Sequence, residues 1–282
     1  MSCLTPGLVT ECSTAAGMAA ELDKPMTSAS ATMGRAQAML LAAGRGERMR
    51  PLTDHSPKPL LEVRGKPLLQ WHLEALARAG WRHALVNTAW LGEQIPARFG
   101  TRWPAQADAG LALGYSMEGQ DFGAALETAG GIARALPALD EQFWIAAGDV
   151  FVPGFEFAAE ALQRFAAGTM LAHLWLVPNP VHNPRGDFGL SPEGLALNLP
   201  AEHPGPRHTY STIGLYRREL FEPPWLDIEA GNPRGLAAAL GPLLRRAMDQ
   251  GRVSAEIWPG EWTDVGTPER LAALDVDLRH AC

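Results

Sequence analysis

The sequence predicts an α/β fold: a Rossmann-like, mostly parallel sheet flanked by helices, with a smaller mixed β part after it. Three observations predict it. Short apolar runs alternate with helix-period segments between residues 35 and 150. A glycine turn follows the first of those runs directly. After residue 150 the apolar runs shorten and are joined by Pro/Gly-rich stretches. Strands alternating with helices at this spacing imply right-handed βαβ units.

Residues 1–34 are rich in Ala, Ser, Thr, Met and Gly, without a basic start followed by an unbroken apolar block. They predict a disordered N-terminal extension rather than a secretory signal, or a true start at Met26 or Met33. The fold is expected from Arg35 onward, with a first half over 35–150 and a second over 151–282. The run Met39, Leu40, Leu41, Ala42, Ala43 reads as a buried strand. Pro67 opens a helix at its favoured first position; Leu69, Leu73 and Leu76 share one face, and Gly80 stops it. Residues 83–88 form the next strand, a short helix runs towards Phe99, and 111–117 form a third strand. Residues 128–136 read as a helix, and 143–147 as a buried strand ending in Gly148-Asp149. Shorter strands follow at 169–177, 188–190, 195–197 and 208–216. The run PNPVHNPRGDFG (178–189) is too proline-rich for a sheet interior and reads as an ordered loop over a binding site. A helix over 235–250, a strand over 253–258 and a last helix from Thr267-Pro268, carrying Leu271, Leu274 and Leu278, complete the chain. In such sheets ligands bind beyond the carboxyl ends of the strands, where residues 44–48, Asn87, Glu118 and Asp149 fall.

The chain has 282 residues and a net charge of −7. That balance argues against a nucleic-acid or anionic-membrane surface, since both reward basic patches. No stretch approaches the roughly 18 apolar residues of a membrane span. The three cysteines (Cys3, Cys12, Cys282) lie at the ends without metal-ligand spacing, which fits a reducing cytoplasm. Lysine is confined to Lys24, Lys58 and Lys66. An acidic protein that binds a polyphosphate must concentrate positive charge locally, and Arg45, Arg48, Arg50 and Lys58 do so in sequence.

Glycine at 44 and 46 lets the backbone turn tightly and bring N–H groups near an anion. Arg48 adds forked donors suited to phosphate oxygens. Lys58 stands between Pro57 and Pro59, on a restricted backbone. Together these describe a triphosphate cradle. A GxG turn alone is often only structural, and no third glycine completes the dinucleotide fingerprint, which counts against a nicotinamide-dependent dehydrogenase. Asp149, in AAGDV, and Asp264, in WTDVGTPERL, are candidate oxygen ligands for Mg²⁺. An aspartate at a strand end is otherwise a turn residue or helix cap.

The whole string from Met39 to Leu61, MLLAAGRGERMRPLTDHSPKPLL, resembles the signature of the sugar-1-phosphate nucleotidyltransferases, LAAGxGxRMxPLT followed by PKPLL. The resemblance extends over about residues 38–274. It implies the nucleotidyltransferase (glycosyltransferase-A-like) fold, with 35–150 as nucleotide-binding half and 151–282 as sugar-phosphate-binding half. It implies Arg48 and Lys58 as catalytic cations, and Mg²⁺ shared by Asp149 and Asp264. Nucleotide contacts are implied at Leu41, Ala42, Ala43, Gly44, Gly46, Arg48 and Lys58, with the base selected around Glu118, Leu126 and Gly130; backbone near Leu126 could read the base edge, or Thr128 could merely cap the helix. On the sugar side it implies Asp187, Gly189, Glu202 and His203. His203 stands where relatives have a lysine that grips the sugar phosphate, and Arg207 is the other candidate. The strings ALETAGG, VPNPVHNPRGDFGL and WTDVGTPERLAAL resemble most the uridylyltransferase branch that acts on N-acetylmuramate alpha-1-phosphate in bacterial cell-wall recycling.

The expected substrates are therefore a nucleoside triphosphate, UTP first, and a sugar 1-phosphate, with pyrophosphate released by a cytoplasmic monomer or small homo-oligomer. A mannose-1-phosphate guanylyltransferase, or a sugar-nucleotide-binding protein of the same fold without catalysis, are the alternatives.

Overall fold

The computed structural model describes residues 34–104 and 110–276. The expected N-terminal extension lies almost wholly outside them, as does Leu278.

The chain opens with β1 (Ala36–Ala42), three short 3-10 turns and a hairpin, β2 (Glu62–Val63) with β3 (Lys66–Pro67). Helix α1 (Leu68–Arg78) leads to β4 (His83–Thr88), and α2 (Gln94–Phe99) and β5 (Arg102–Trp103) lead to β6 (Leu111–Met117). Helices α3 (Glu118–Phe122) and α4 (Glu127–Ala135) precede β7 (Leu139–Ala147) and the short β8 (Val150–Phe151). After α5 (Ala159–Ala167) come β9 (Ala172–Val177), β10 (Phe188–Leu190), β11 (Ala196–Leu197) and β12 (Arg207–Arg217). The chain ends with α6 (Leu240–Asp249), β13 (Val253–Ile257), β14 (Thr263–Asp264) and α7 (Pro268–Val276).

Ten strands form one sheet in the order β11-β10-β12-β7-β1-β4-β6-β5, with β9 on β12 and β13 on β9. The central pairs β7–β1, β1–β4 and β4–β6 are parallel, as expected of βαβ units. Antiparallel β12 joins β7, so strands from both halves share this sheet. β1 shows why its sequence lacks alternation: Ala38, Leu40 and Ala42 face one apolar layer while Met39 and Leu41 face the other. A strand covered on both sides reads as a continuous apolar run.

In α1, Leu69, Leu73 and Leu76 are fully buried, and Gly80 follows the helix at φ 84. Pro67 differs from expectation: it ends β3, and the helix starts at Leu68. The largest difference is at 235–239, expected to be helical. Here the chain is irregular because Ala238 is used elsewhere: its carbonyl accepts from Ala129 N (2.8 Å) and Gly130 N (3.1 Å), and its N–H donates to Leu126 O (3.0 Å). Those bonds satisfy the first turn of α4 and hold back the start of α6. The 178–189 run is irregular until Phe188 and is tied by Asn183 N to Pro180 O (2.9 Å) and Asn179 Nδ2 to Arg207 O (2.9 Å).

Candidate active site

The turn after β1 is built as the glycines suggest, but the two differ. Gly46 has φ 66, and a Cβ there would lie 3.0 Å from Thr53 Cγ2 and 3.1 Å from Lys58 Cβ. Thr53 Oγ1 and Met49 N both donate to Gly46 O, at 2.8 and 2.9 Å, closing the turn. A Cβ on Gly44 would meet no protein atom within 4 Å, so its glycine is not required by packing. Of the four cations gathered in sequence, two face elsewhere. Arg45 stacks on Trp90, 3.3 Å from the ring centroid, and Arg50 pairs with Asp54 at 2.7 Å. Arg48 is exposed and, with Lys58, Gly44, Gly46, Asp149 and Gly266, lines a cavity of about 440 Å³.

Lys58 is buried, and its ammonium lies 2.6 Å from Asp149 Oδ2 and 3.9 Å from Asp264 Oδ1. The two aspartates, 115 residues apart in number, meet because β14 pairs antiparallel with β8, setting Asp264 opposite Val150. Behind them, buried His72 of α1 lies with Nε2 3.0 Å from Val150 O, a contact in which the ring must donate. Burial holds the His72 pKa down to about 4, partly offset by the Val150 bond and the nearby Asp149 charge. On the outer side, Asp264 Oδ2 accepts from Arg270 Nη1 (2.8 Å) and lies 3.4 Å from His182 Nε2. Sequence reasoning found neither residue. Arg270 follows Asp264 by six positions in the same motif, while His182 arrives from the 178–189 loop.

A second, larger cavity of about 570 Å³ adjoins the first and shares Leu41, Gly44 and Asp149 with it. Its walls include Ala43, Asn87, Thr128, Phe188, Tyr210 and Thr212. Thr212 has φ 65, a left-handed conformation that a β-branched residue adopts only under constraint. The constraint is a register break in β12 against β9 between Tyr210 and Gly214, held by Ser211 Oγ to Trp175 O (2.6 Å) and Trp262 Nε1 to Ser211 O (3.0 Å). Ala43 and Leu41 thus line cavities as expected; Ala42 lines the smaller one, but its N–H is taken by Asn87 Oδ1 at 2.8 Å.

Other expected residues are turned away. Glu118 is fully buried: Oε1 accepts from Asn87 Nδ2 (2.7 Å) and Oε2 from Leu126 N (2.8 Å), so the carboxylate offers nothing to a base. Burial raises its pKa, and those two bonds with Arg134 oppose the rise. Leu126 N donates to Glu118 Oε2, and its carbonyl accepts from Ala238 N, so its N–H is already taken. Gly130 is packed under the chain, where a Cβ would lie 2.4 Å from Leu236 O. The neighbours Ala125, Glu127 and Thr128 face the larger cavity instead, Glu127 with φ 56.

Of the residues expected to hold the sugar phosphate, Asp187 accepts from Tyr210 N (2.9 Å) and Asn183 Nδ2 (3.2 Å), and Gly189 packs on Leu199; Phe188 between them reaches the cavity. Glu202 and His203 are exposed in a turn and line neither cavity; His203 Nδ1 accepts from Gly205 N at 3.0 Å. Arg207 donates to Asp187 O at 2.9 Å.

The chemistry of the donor set fits a divalent cation. Mg²⁺ takes one or two carboxylates and completes its shell with water and substrate phosphates. Asp149 and Asp264 are such a pair, already facing one cation, the Lys58 ammonium. Among the described residues no group of three or more His, Cys, Asp or Glu side chains gathers in a metal-holding arrangement. No helix among them is long and apolar enough to cross a membrane.

Known proteins place this geometry in context. The nucleotidyl transferase family matches over residues 37–280. The chain is 46% identical over 241 residues to N-acetylmuramate alpha-1-phosphate uridylyltransferase of Neisseria meningitidis serogroup B, covering 83% of this chain and 95% of the relative. It is 33% identical over 256 residues to the protein of the same name from Caulobacter vibrioides, covering 86% and 97%. A Bacillus anthracis structure, assigned as a glucose-1-phosphate thymidylyltransferase and solved with sucrose, superposes with a TM-score of 0.69 at 17% identity. That match covers 86% of this chain and 95% of the other, and shows the fold.

Proposed function

Since the chain belongs to the nucleotidyl transferase family, we propose that it transfers a uridylyl group from UTP to N-acetylmuramate alpha-1-phosphate and releases pyrophosphate. The observation that carries this reading is the buried Lys58 ammonium lying between Asp149 and Asp264 beneath the glycine turn. The reaction forms a bond from a sugar-phosphate oxygen to the α-phosphorus and breaks the bond from that phosphorus to the β-phosphate oxygen. It gathers negative charge, so catalysis rests on positioning and on fixed cations.

The residues divide this work. Arg48 and the Gly44–Gly46 backbone receive the leaving pyrophosphate, and Lys58 neutralises charge at the α-phosphate. The larger, mostly apolar cavity takes the rings of base and sugar between Thr128, Phe188, Tyr210 and Thr212. Asp149 and Asp264 would hold Mg²⁺, which supplies Lewis-acid stabilisation of the phosphoryl oxygens when bound. The same reading makes the protein a cytoplasmic enzyme of peptidoglycan recycling; the names of its relatives support the sugar, and its cysteine usage supports the compartment.

Pyrophosphate release by the pure protein from a panel of triphosphates and sugar 1-phosphates tests the proposal. UTP with N-acetylmuramate alpha-1-phosphate is expected to give the highest kcat/KM. Preference for GTP with mannose 1-phosphate would overturn the substrate assignment. Tight nucleotide binding with no pyrophosphate from any pair would overturn the activity.

A further inference from the structure

We propose that the Tyr210 hydroxyl donates a hydrogen bond to the acetamide carbonyl of the sugar and so helps select it; this rests on the transferase reading above. Tyr210 Oη lies 2.6 Å from Tyr216 Oη, and among the described residues neither hydroxyl has another hydrogen-bond partner. The pair spans the boundary between core and cavity. Tyr216 is fully buried in the core layer, whereas Tyr210 is half-buried and lines the larger cavity with Phe188 and Thr212. The Tyr216 ring lies back along β12, with Cε2 3.0 Å from where a Cβ on Gly214 would stand. Gly214 is opposite Ile145 of β7, another residue of the cavity wall.

The pair holds two protons and makes one hydrogen bond. Burial raises the pKa of both phenols, so both stay protonated at neutral pH. Were Tyr210 the donor, the Tyr216 proton would be left unpaired in the core, at the full desolvation cost of a buried donor. Tyr216 therefore donates and Tyr210 accepts. The proton left over belongs to Tyr210, the member of the pair on the cavity wall. Among the described residues that line this cavity, the charged side chains are Glu127 and Asp149, both acidic. A neutral donor set among Ile145, Phe188, Leu240 and Leu244 suits a neutral carbonyl flanked by a methyl group, rather than a phosphate or a carboxylate. The acetamide of N-acetylmuramate is such a group. Uracil also has carbonyls, but the N–H between them calls for an acceptor as well. The wall's Asn87, Glu127 and Thr128 come from β4 and α4, whereas Tyr210, Phe188 and Leu244 come from β12, β10 and α6.

A structural alternative is that the two tyrosines only brace β12. Tyr210→Phe, Tyr216→Phe and the double variant separate the two in the full chain. Tyr210→Phe should raise KM for N-acetylmuramate alpha-1-phosphate about 3- to 10-fold, the worth of one neutral hydrogen bond, with KM for UTP within about twofold of the parent. It also strands the Tyr216 proton, so its melting temperature should fall. The double variant strands nothing and should recover the melting temperature but not the KM. Tyr216→Phe should raise KM less than Tyr210→Phe, because Tyr210 keeps its proton. The parent should also discriminate against the same sugar phosphate lacking its acetyl group, and Tyr210→Phe should lose about 3- to 10-fold of that discrimination. A rise in KM for UTP instead, or a KM that recovers together with the melting temperature, overturns the contact. Calorimetric titration with N-acetylmuramate alpha-1-phosphate is the second readout. Weaker binding by Tyr210→Phe than by the parent upholds the contact even if no pyrophosphate is released, a result that sinks the reaction instead. Parental KM in an active Tyr210→Phe overturns the contact and leaves the reaction standing.

Discussion

Replacing Glu118 by glutamine tests whether one buried carboxylate sets the geometry of both cavities. Both neighbours of Glu118 donate to it, Asn87 Nδ2 at 2.7 Å and Leu126 N at 2.8 Å, so only the ionised form satisfies them despite the burial that disfavours it. Asn87 cannot turn over to help, because its Oδ1 already accepts from Ala42 N at 2.8 Å. Glutamine has one acceptor oxygen, and in either orientation its NH₂ confronts an N–H. One charge-assisted hydrogen bond and one buried donor are lost, at about 1.5–3 and 1–3 kcal/mol, so the net cost is about 3 kcal/mol. At about 2–4 °C per kcal/mol for a chain of this size, the melting temperature should fall by about 6–12 °C in differential scanning calorimetry. The same substitution loosens the end of β1 and the turn before α4 together, so KM for UTP should rise as well. A melting temperature within about 2 °C of the parent would refute the reasoning, since the desolvation cost has no other outlet.

Lys58→Met leaves Asp149 and Asp264 facing each other without their shared cation. Turnover should fall about 10²- to 10³-fold with an unchanged circular dichroism spectrum, and activity within about fivefold of the parent would contradict the role given to Lys58. Gly46→Ala should lower stability by about 1–2 kcal/mol in urea unfolding, from its φ of 66 and its contacts with Thr53 and Lys58. Gly44→Ala should leave stability unchanged and raise KM for UTP, because its Cβ would point into space that only a ligand fills. His72 is neutral in the fold, with its pKa lowered from 6.5 to about 4. Stability should therefore be complete above pH 6.5 and be lost as pH falls toward 4, by about 3 kcal/mol in total, a slope that His72→Leu should remove in pH-dependent melting. Chelation with EDTA should abolish pyrophosphate release, and added Mg²⁺ should restore it.

The cluster of Lys58, Asp149 and Asp264 could be read from sequence because its signals are local. An apolar run, two glycines and a proline-flanked lysine specify their own backbone, and an aspartate at a strand end needs only the strand to be placed. Asp149, Asp264 and Lys58 meet for that reason. The surroundings of the larger cavity could not be read in the same way. Glu118 follows the end of β6, but α3 starts there at once and turns its carboxylate inward to Asn87 and Leu126. Asp187 is an acid in the loop expected over the site, yet its oxygens hold that loop to Tyr210 N and Asn183. Arg270 and His182 meet only when α7 and the 178–189 loop both reach Asp264 Oδ2, a long-range contact that no spacing announces. The helix start expected near 235 failed for the same kind of reason: Ala238 is recruited to α4 from across the fold.

Apolar residues fix the charged ones. A small third core gathers Met49, Val63, Leu68, Phe151, Val265 and Leu274, apart from the two layers that cover the sheet. Met49 follows Arg48, Phe151 closes the strand that begins after Asp149, and Val265 follows Asp264. Leu274, one turn beyond Arg270, anchors α7 in the same cluster, and Asp275 accepts from Arg64 N at 2.7 Å. Each buried side chain of this size stabilises its segment by about 1.5–3 kcal/mol, which exceeds the gain from an exposed ion pair. The cluster therefore determines where Arg48, Asp149, Asp264 and Arg270 stand before any ligand arrives. The Arg270–Asp264 ion pair is a consequence of that placement rather than its cause.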